Sequence, residues 1–165
     1  MTSPPGPPAD VDHLGLYVGL SDAVLRMTKL LGELAVERYE VPLKGVYLLL
    51  RLDDAGSLRV TELADEVYVS TSAASRTLDR LFAHGLVHRE PAGDDGRATA
   101  VTLTPAGRRL ARRARREMSE RVRDLLFGEL SGADLDQLGS LLSRLSDPLR
   151  PDAPAARPRP SPGRR

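Results

Sequence analysis

The stretch that most constrains this chain runs from residue 60 to residue 104. Two short amphipathic segments are followed by two alternating ones, with turn formers at every junction. Thr61 is expected to cap a helix whose Leu63, Ala64 and Val67 share one face, with Glu62 in the first turn where a carboxylate suits the helix dipole. Val69-Ser70 follows as a short turn. The Ser70 hydroxyl is suited to accept the free N–H groups of a second helix, running from Thr71 to about His84. Ala74, Leu78, Leu81 and Phe82 form the apolar stripe of that helix, and Gly85 ends it. Two short helices joined by a tight turn make the unit that lays its second helix in a DNA major groove.

The outward face of the second helix carries Ser70, Thr71, Ser72, Ser75, Arg76 and Arg80. Short hydroxyls let a helix approach base edges, and arginine bonds bidentately to a guanine edge or a phosphate. The plainer alternative is a solvated face with a capping serine. Downstream, Leu86 to Arg89 reads as a strand, and Thr99, Val101 and Leu103 alternate with Ala98, Ala100 and Thr102 as a half-buried strand does. The segment between them, Pro91 to Arg97, is dense in turn formers. A hairpin with Arg97 near its tip is suited to place a guanidinium in a minor groove, with Asp95 holding it. An incidental surface ion pair would be worth little.

The ordered set Leu63-Ala64, Val69-Ser70, Ser75-Arg76, Leu78-Asp79-Arg80-Leu81, Gly85-Leu86-Val87, Asp95-Gly96-Arg97 and Leu103-Thr104-Pro105-Ala106-Gly107 resembles the multiple-antibiotic-resistance regulator (MarR) family. The resemblance covers roughly Val11 to Leu149. It implies that Ser70 to Arg76 read the major groove and that Asp95 and Arg97 serve the minor groove. It further implies a homodimer on a palindromic operator in double-stranded DNA, with repression relieved by a small aromatic or anionic effector bound between the dimerisation helices and the winged domain. Tyr68 departs from the family, which often has a small residue or Gly at that turn. A bulky residue is costly there if φ is positive, so a local variation of the turn is expected.

The flanks frame this region. Residues 1–9 are Pro-rich and are expected to be disordered. A helix is expected over about 10–40, where Tyr17, Leu20, Val24, Met27, Leu31 and Leu34 recur at alternating three- and four-residue spacing, the seam of a helix that packs against another helix. A monomer could use that seam as core; the resemblance assigns it to a dimer interface. The winged region proper spans 41–104. It opens with a helix after Pro42, whose Val46, Leu49 and Leu50 face inward, and an extended Ser57 to Val60 that supplies a third strand. Over 105–149, Thr104-Pro105 starts a long helix with stripe Leu110, Ala114, Met118, Val122, Leu125 and Leu126. Ser131-Gly132-Ala133-Asp134 then caps a Leu-rich helix. Six arginines crowd the first half of the long helix. Most read as a solvated face paired to Glu117 and Glu120; Arg108 and Arg109 are the best phosphate candidates. Residues 150–165 form a basic Pro/Arg tail, either a salt-sensitive aid to DNA affinity or a plain solubilising segment.

The fold class expected is therefore mainly α with a small β-wing: a winged helix-turn-helix with N- and C-terminal dimerisation helices. Net charge is only +1 over 165 residues, so DNA affinity must come from where the charges sit. There is no cysteine, which excludes disulfides, thiolate metal sites and thiol-based sensing. No catalytic constellation, phosphate-cradling glycine loop or dinucleotide fingerprint is present, and His13, His84 and His88 lack metal-site spacing. Neither an enzyme nor a cofactor or metal is expected. No apolar run approaches a membrane span and no signal pattern opens the chain, so a cytoplasmic protein is expected. Two rival readings remain open: a winged-helix protein-interaction module without an operator, and a DNA-binding regulator that needs no ligand.

Overall fold

The computed structural model describes residues 10–92 and 98–147. Asp95 and Arg97, and the two expected tails, lie outside these residues. The chain divides into two compact units, Met1–Met118 and Ser119–Arg165. The division falls inside the long helix, so the first turns of that helix belong with the winged region.

The first unit opens with α1 (His13–Tyr39). Its cap is Asp12, whose carboxylate accepts from the Gly15 N–H at 2.9 Å. Helix α2 (Leu43–Ala55) starts after Pro42 and stops at Gly56, which takes a φ of 80° that suits glycine alone. Strand β1 (Ser57–Arg59) runs directly into α3 (Val60–Glu66), and a turn leads to α4 (Thr71–Ala83). Strands β2 (Val87–Ala92) and β3 (Ala98–Leu103) form the wing hairpin, and α5 (Pro105–Val122) follows. The sheet has the order β1-β3-β2 and is antiparallel throughout. Leu58 faces Val101, and Val87 faces Leu103. The expected third strand is therefore present, and it makes β3 the central one.

The core of this unit is aliphatic. Val46, Leu48, Leu49 and Leu52 of α2 are buried against Leu63, Leu78, Leu81, Val87 and Val101. Each such side chain contributes about 1.5–3 kcal/mol by leaving water. At Gly45 an added Cβ would run into the Val41 side chain, and would touch Leu81 and Thr77 of α4 only at ordinary contact distance, 3.5 Å. Three expected positions differ. Leu50 is only half-buried, and Leu48 and Leu52 take its inward place. Phe82 is 53% exposed and leaves the α4 stripe to Ala74, Leu78 and Leu81. Helix α3 begins at Val60, with Arg59 in place of Thr61 as its cap residue. The Arg59 N–H is satisfied by Glu62 Oε2 at 2.7 Å, so the acidic side chain caps the helix where a hydroxyl was expected to.

In the second unit, a five-residue π-turn, Arg123–Phe127, follows α5, and α6 (Gly132–Ser146) comes next. Ser131 and Asp134 cap α6 reciprocally, at 3.3 Å and 2.9 Å. The Ser131 hydroxyl, donating to Asp134 Oδ2 at 2.6 Å, and then the Ser131 N–H hold the Asp134 carboxyl below its ordinary value. Leu125 and Leu126 are exposed, as are Leu135, Leu141, Leu142 and Leu145. Helix α1 likewise leaves Leu14, Tyr17, Leu20 and Val24 in water, and buries only Leu31, Ala35 and Tyr39. No helix among the described residues is long and apolar enough to cross a membrane.

Candidate nucleic-acid interface

Helix α4 is placed by its ends. Ser70 is its N-cap and accepts from the Ala73 N–H at 3.3 Å. Gly85, at φ 64°, turns the chain out of the helix and into β2. Between these ends the buried Ala74, Leu78 and Leu81 fix the rotation of the helix, and rotation decides which residues face outward. Ser72, Arg76 and Arg80 recur every fourth residue and are all exposed. Ser70 and Thr71 are exposed beside them, and Ser75 is half-buried. Six of the nine expected contact residues therefore share one helix and one broad face. The Ser70 and Ser72 hydroxyls lie 3.1 Å apart, so one of them keeps a lone pair or hydrogen free for an outside partner.

The turn before α4 keeps the left-handed conformation that a small residue would favour. Tyr68 has φ 54° and is 87% exposed. The positive φ at a bulky residue costs roughly 1 kcal/mol of backbone strain, which the tyrosine accepts. An exposed side chain makes this possible, because no packing conflict adds to the backbone cost.

Arg108 is not brought to this face. It stands in the first turns of α5, at the foot of the hairpin. Thr104 just before it accepts from the Gly107 N–H at 2.9 Å and donates to the Gly85 carbonyl at 2.7 Å, at the C-terminal end of α4. Of the α4 contact candidates, Ser70 and Thr71 are at the opposite end of the helix from Gly85, and Arg80 is near it.

Several positioning groups were not expected. Arg89 of β2 binds Asp79 of α4 at 2.7 Å and lies over the Phe82 ring at 6.0 Å. This pins the hairpin to the C-terminal half of α4, on a side where Asp79 and Phe82 are themselves exposed. The pair joins residues ten apart on different elements, and no local pattern signals it. On α5, Arg115 reaches Asp54 at 2.6 Å, Arg112 lies 3.9 Å from Asp53, and Arg113 lies 3.9 Å from Glu117. Only the last is an expected pair along the helix; the others tie α5 to the end of α2.

A cleft of about 400 Å³ opens behind the helix-turn-helix, lined by Tyr47, Leu50, Val67 and Tyr68 and by Arg51, Asp54, Glu66 and Arg115. Its apolar walls are two tyrosines and two aliphatics; its charges are two ion pairs, Arg51–Glu66 at 3.5 Å and Arg115–Asp54. Burial raises the Tyr47 pKa, keeping the phenol neutral as a donor. Because Tyr68 belongs both to this cleft and to the turn before α4, an occupant of the cleft touches the segment that aims α4.

Comparison with known proteins follows the same lines. Residues 46–99 match the model of the MarR family. The chain is 36% identical over 104 residues to the HTH-type transcriptional regulator YxaD of Bacillus subtilis (strain 168), covering 62% of this chain and 72% of that protein. Among solved structures it resembles Sco3205, a MarR family transcriptional regulator from Streptomyces coelicolor, in complex with DNA. The TM-score is 0.78 at 24% identity, over 86% of this chain and 94% of the other. It also resembles Bordetella bronchiseptica BpsR, whose DNA binding is regulated by 6-hydroxynicotinic acid. Here the TM-score is 0.71 at 22% identity, over 81% and 99% of the two chains.

Proposed function

The chain belongs to the MarR family of winged-helix transcriptional regulators, and on that premise we propose that it acts as a homodimeric repressor of a palindromic operator, released by a small effector. The observation that carries the reading is the face of α4. Small hydroxyls at Ser70, Thr71, Ser72 and Ser75 and guanidiniums at Arg76 and Arg80 sit on a helix locked by burial on its other side. Arg76 is assigned to a base edge, where a bidentate pair discriminates by about 1–3 kcal/mol. Asp95 and Arg97 are assigned to the minor groove beside it. The one exposed aromatic of α4, Phe82, stands near its C-terminal end under the Arg89 guanidinium.

Dimerisation is supported by the apolar side chains that α1 and α6 each leave in water, which a second copy would cover. Two-fold symmetry then sets half-site centres about 34–36 Å apart. Release is supported by the cleft behind α4 and by the effector dependence of BpsR. A flat ligand stacked on Tyr47 and Tyr68, with an anionic group competing with Glu66 for Arg51, would favour one setting of the turn. It must bind the DNA-incompetent setting better, since equal affinity for both shifts nothing.

The test is selection of binding sites from a pool of random duplexes by the purified protein. The expected result is a two-fold symmetric consensus with half-sites about one helical turn apart. Enrichment of no consensus contradicts the proposal.

A further inference from the structure

We propose that Arg108, Arg109 and Arg112 form a binding site for a phosphoryl oxyanion at the foot of the wing, separate from the DNA-reading face. The three residues stand at positions i, i+1 and i+4 of α5, within an arc of about 100°. With Leu103 and Pro105 they line a cavity of about 270 Å³. Among the described residues no carboxylate lines it.

The rest of α5 shows that this charge is not consumed by the fold. Arg113 donates to the Arg38 carbonyl at 2.9 Å and Arg115 to Asp54 at 2.6 Å. Arg112 has one long contact, 3.9 Å to Asp53, with its side chain 66% exposed. Arg108 and Arg109 form no ion pair among the described residues. Three guanidiniums around one cavity repel one another, and a multiply charged anion relieves that repulsion. The planar guanidinium fork matches phosphoryl oxygens bidentately. Leu103 and Pro105 supply an apolar wall for a small organic substituent.

The backbone beneath the arginines is held in place. Thr104 bridges Gly107 to Gly85, and the Thr104 N–H donates to the Leu86 carbonyl at 3.1 Å. Gly107 lies so close to that carbonyl that an added Cβ would collide with it. A site on a fixed backbone loses less freedom when it binds. The phosphoryl group has two sources, a free phosphorylated small molecule or the backbone of duplex DNA. The cavity lies by the Gly85 end of α4, opposite the Ser70 cap, and by the Leu103 end of β3. That placement favours the free ligand.

The test uses inorganic pyrophosphate titrated calorimetrically into the full chain at low ionic strength, against an Arg108→Ala/Arg109→Ala double variant and Arg116→Ala, an exposed arginine outside the cavity. The expected result is saturable binding that weakens at least about ten-fold in the double variant and stays within about two-fold in Arg116→Ala. Absence of saturable binding, or equal losses in both variants, overturns the proposal. The salt dependence of binding to a non-operator duplex separates the sources. A log–log slope reduced by about two in the double variant assigns the site to DNA backbone, and an unchanged slope assigns it to a free phosphorylated ligand.

Discussion

Tyr39 is a buried phenol that donates to Glu117 Oε2 at 2.9 Å, with the Arg113 guanidinium over its ring at 5.2 Å. Burial, the hydrogen bond to Glu117 and the Glu117 charge raise its pKa to about 12, against opposition from Arg113 and Arg38. The folded pKa exceeds the ordinary value of 10.0, so the linked stability is fully present below pH 10 and is lost as pH rises toward 12. Wild-type stability is therefore expected to fall more steeply than that of Tyr39→Phe between pH 10 and 12, by roughly 2 kcal/mol; parallel curves in chemical denaturation would contradict the assignment. Gly107 makes a second prediction at this scale. Gly107→Ala must push α5 away from Leu86, at a cost of at least about 1–3 kcal/mol, read as a lower urea midpoint. An unchanged midpoint would show that the contact is softer than its geometry.

Helix α4 shows what a one-dimensional pattern carries. Its cap at Ser70, its stop at Gly85 and its buried stripe were all legible, because capping and periodicity act within a few residues. Ser70→Ala is expected to cost about 1 kcal/mol of stability, measured by denaturation; no loss would mean that water replaces the cap fully. Arg76→Ala is expected to weaken operator binding by about 1–3 kcal/mol and to relax sequence preference at one base pair per half-site. Uniform weakening across sequences would reassign Arg76 to a phosphate. Phe82 was misplaced because its fate depends on Arg89, which sits on another element. The α3 cap was misplaced because β1 runs straight into the helix and leaves Glu62 to reach back to Arg59. The α2 stripe drifted by a residue because Leu48, Leu49, Leu50 and Leu52 offer several apolar faces, and only packing against α4 chooses among them. The cleft beside Tyr68 had no local signature, being made where elements distant in sequence meet.

For the whole molecule, the order of α3, α4, β2 and β3 followed from residues 60–104, while pairing between copies rests on side chains that one chain leaves uncovered. Leu14, Tyr17, Leu20 and Val24 are exposed along one helix, and a single chain offers them no cover among the described residues. At micromolar concentration, sedimentation is expected to return twice the chain mass, and Leu20→Glu to return the single mass. A monomeric wild type would remove the basis for a palindromic operator. The central claim is that α4 reads base sequence. It is tested most directly by the affinity of the wild-type protein for its selected operator and for a scrambled duplex, each at low and physiological salt. A preference of about a thousandfold or more that survives the higher salt is the predicted result. Equal, steeply salt-sensitive binding to both duplexes would contradict the account, leaving α4 as a basic surface that holds DNA without reading it.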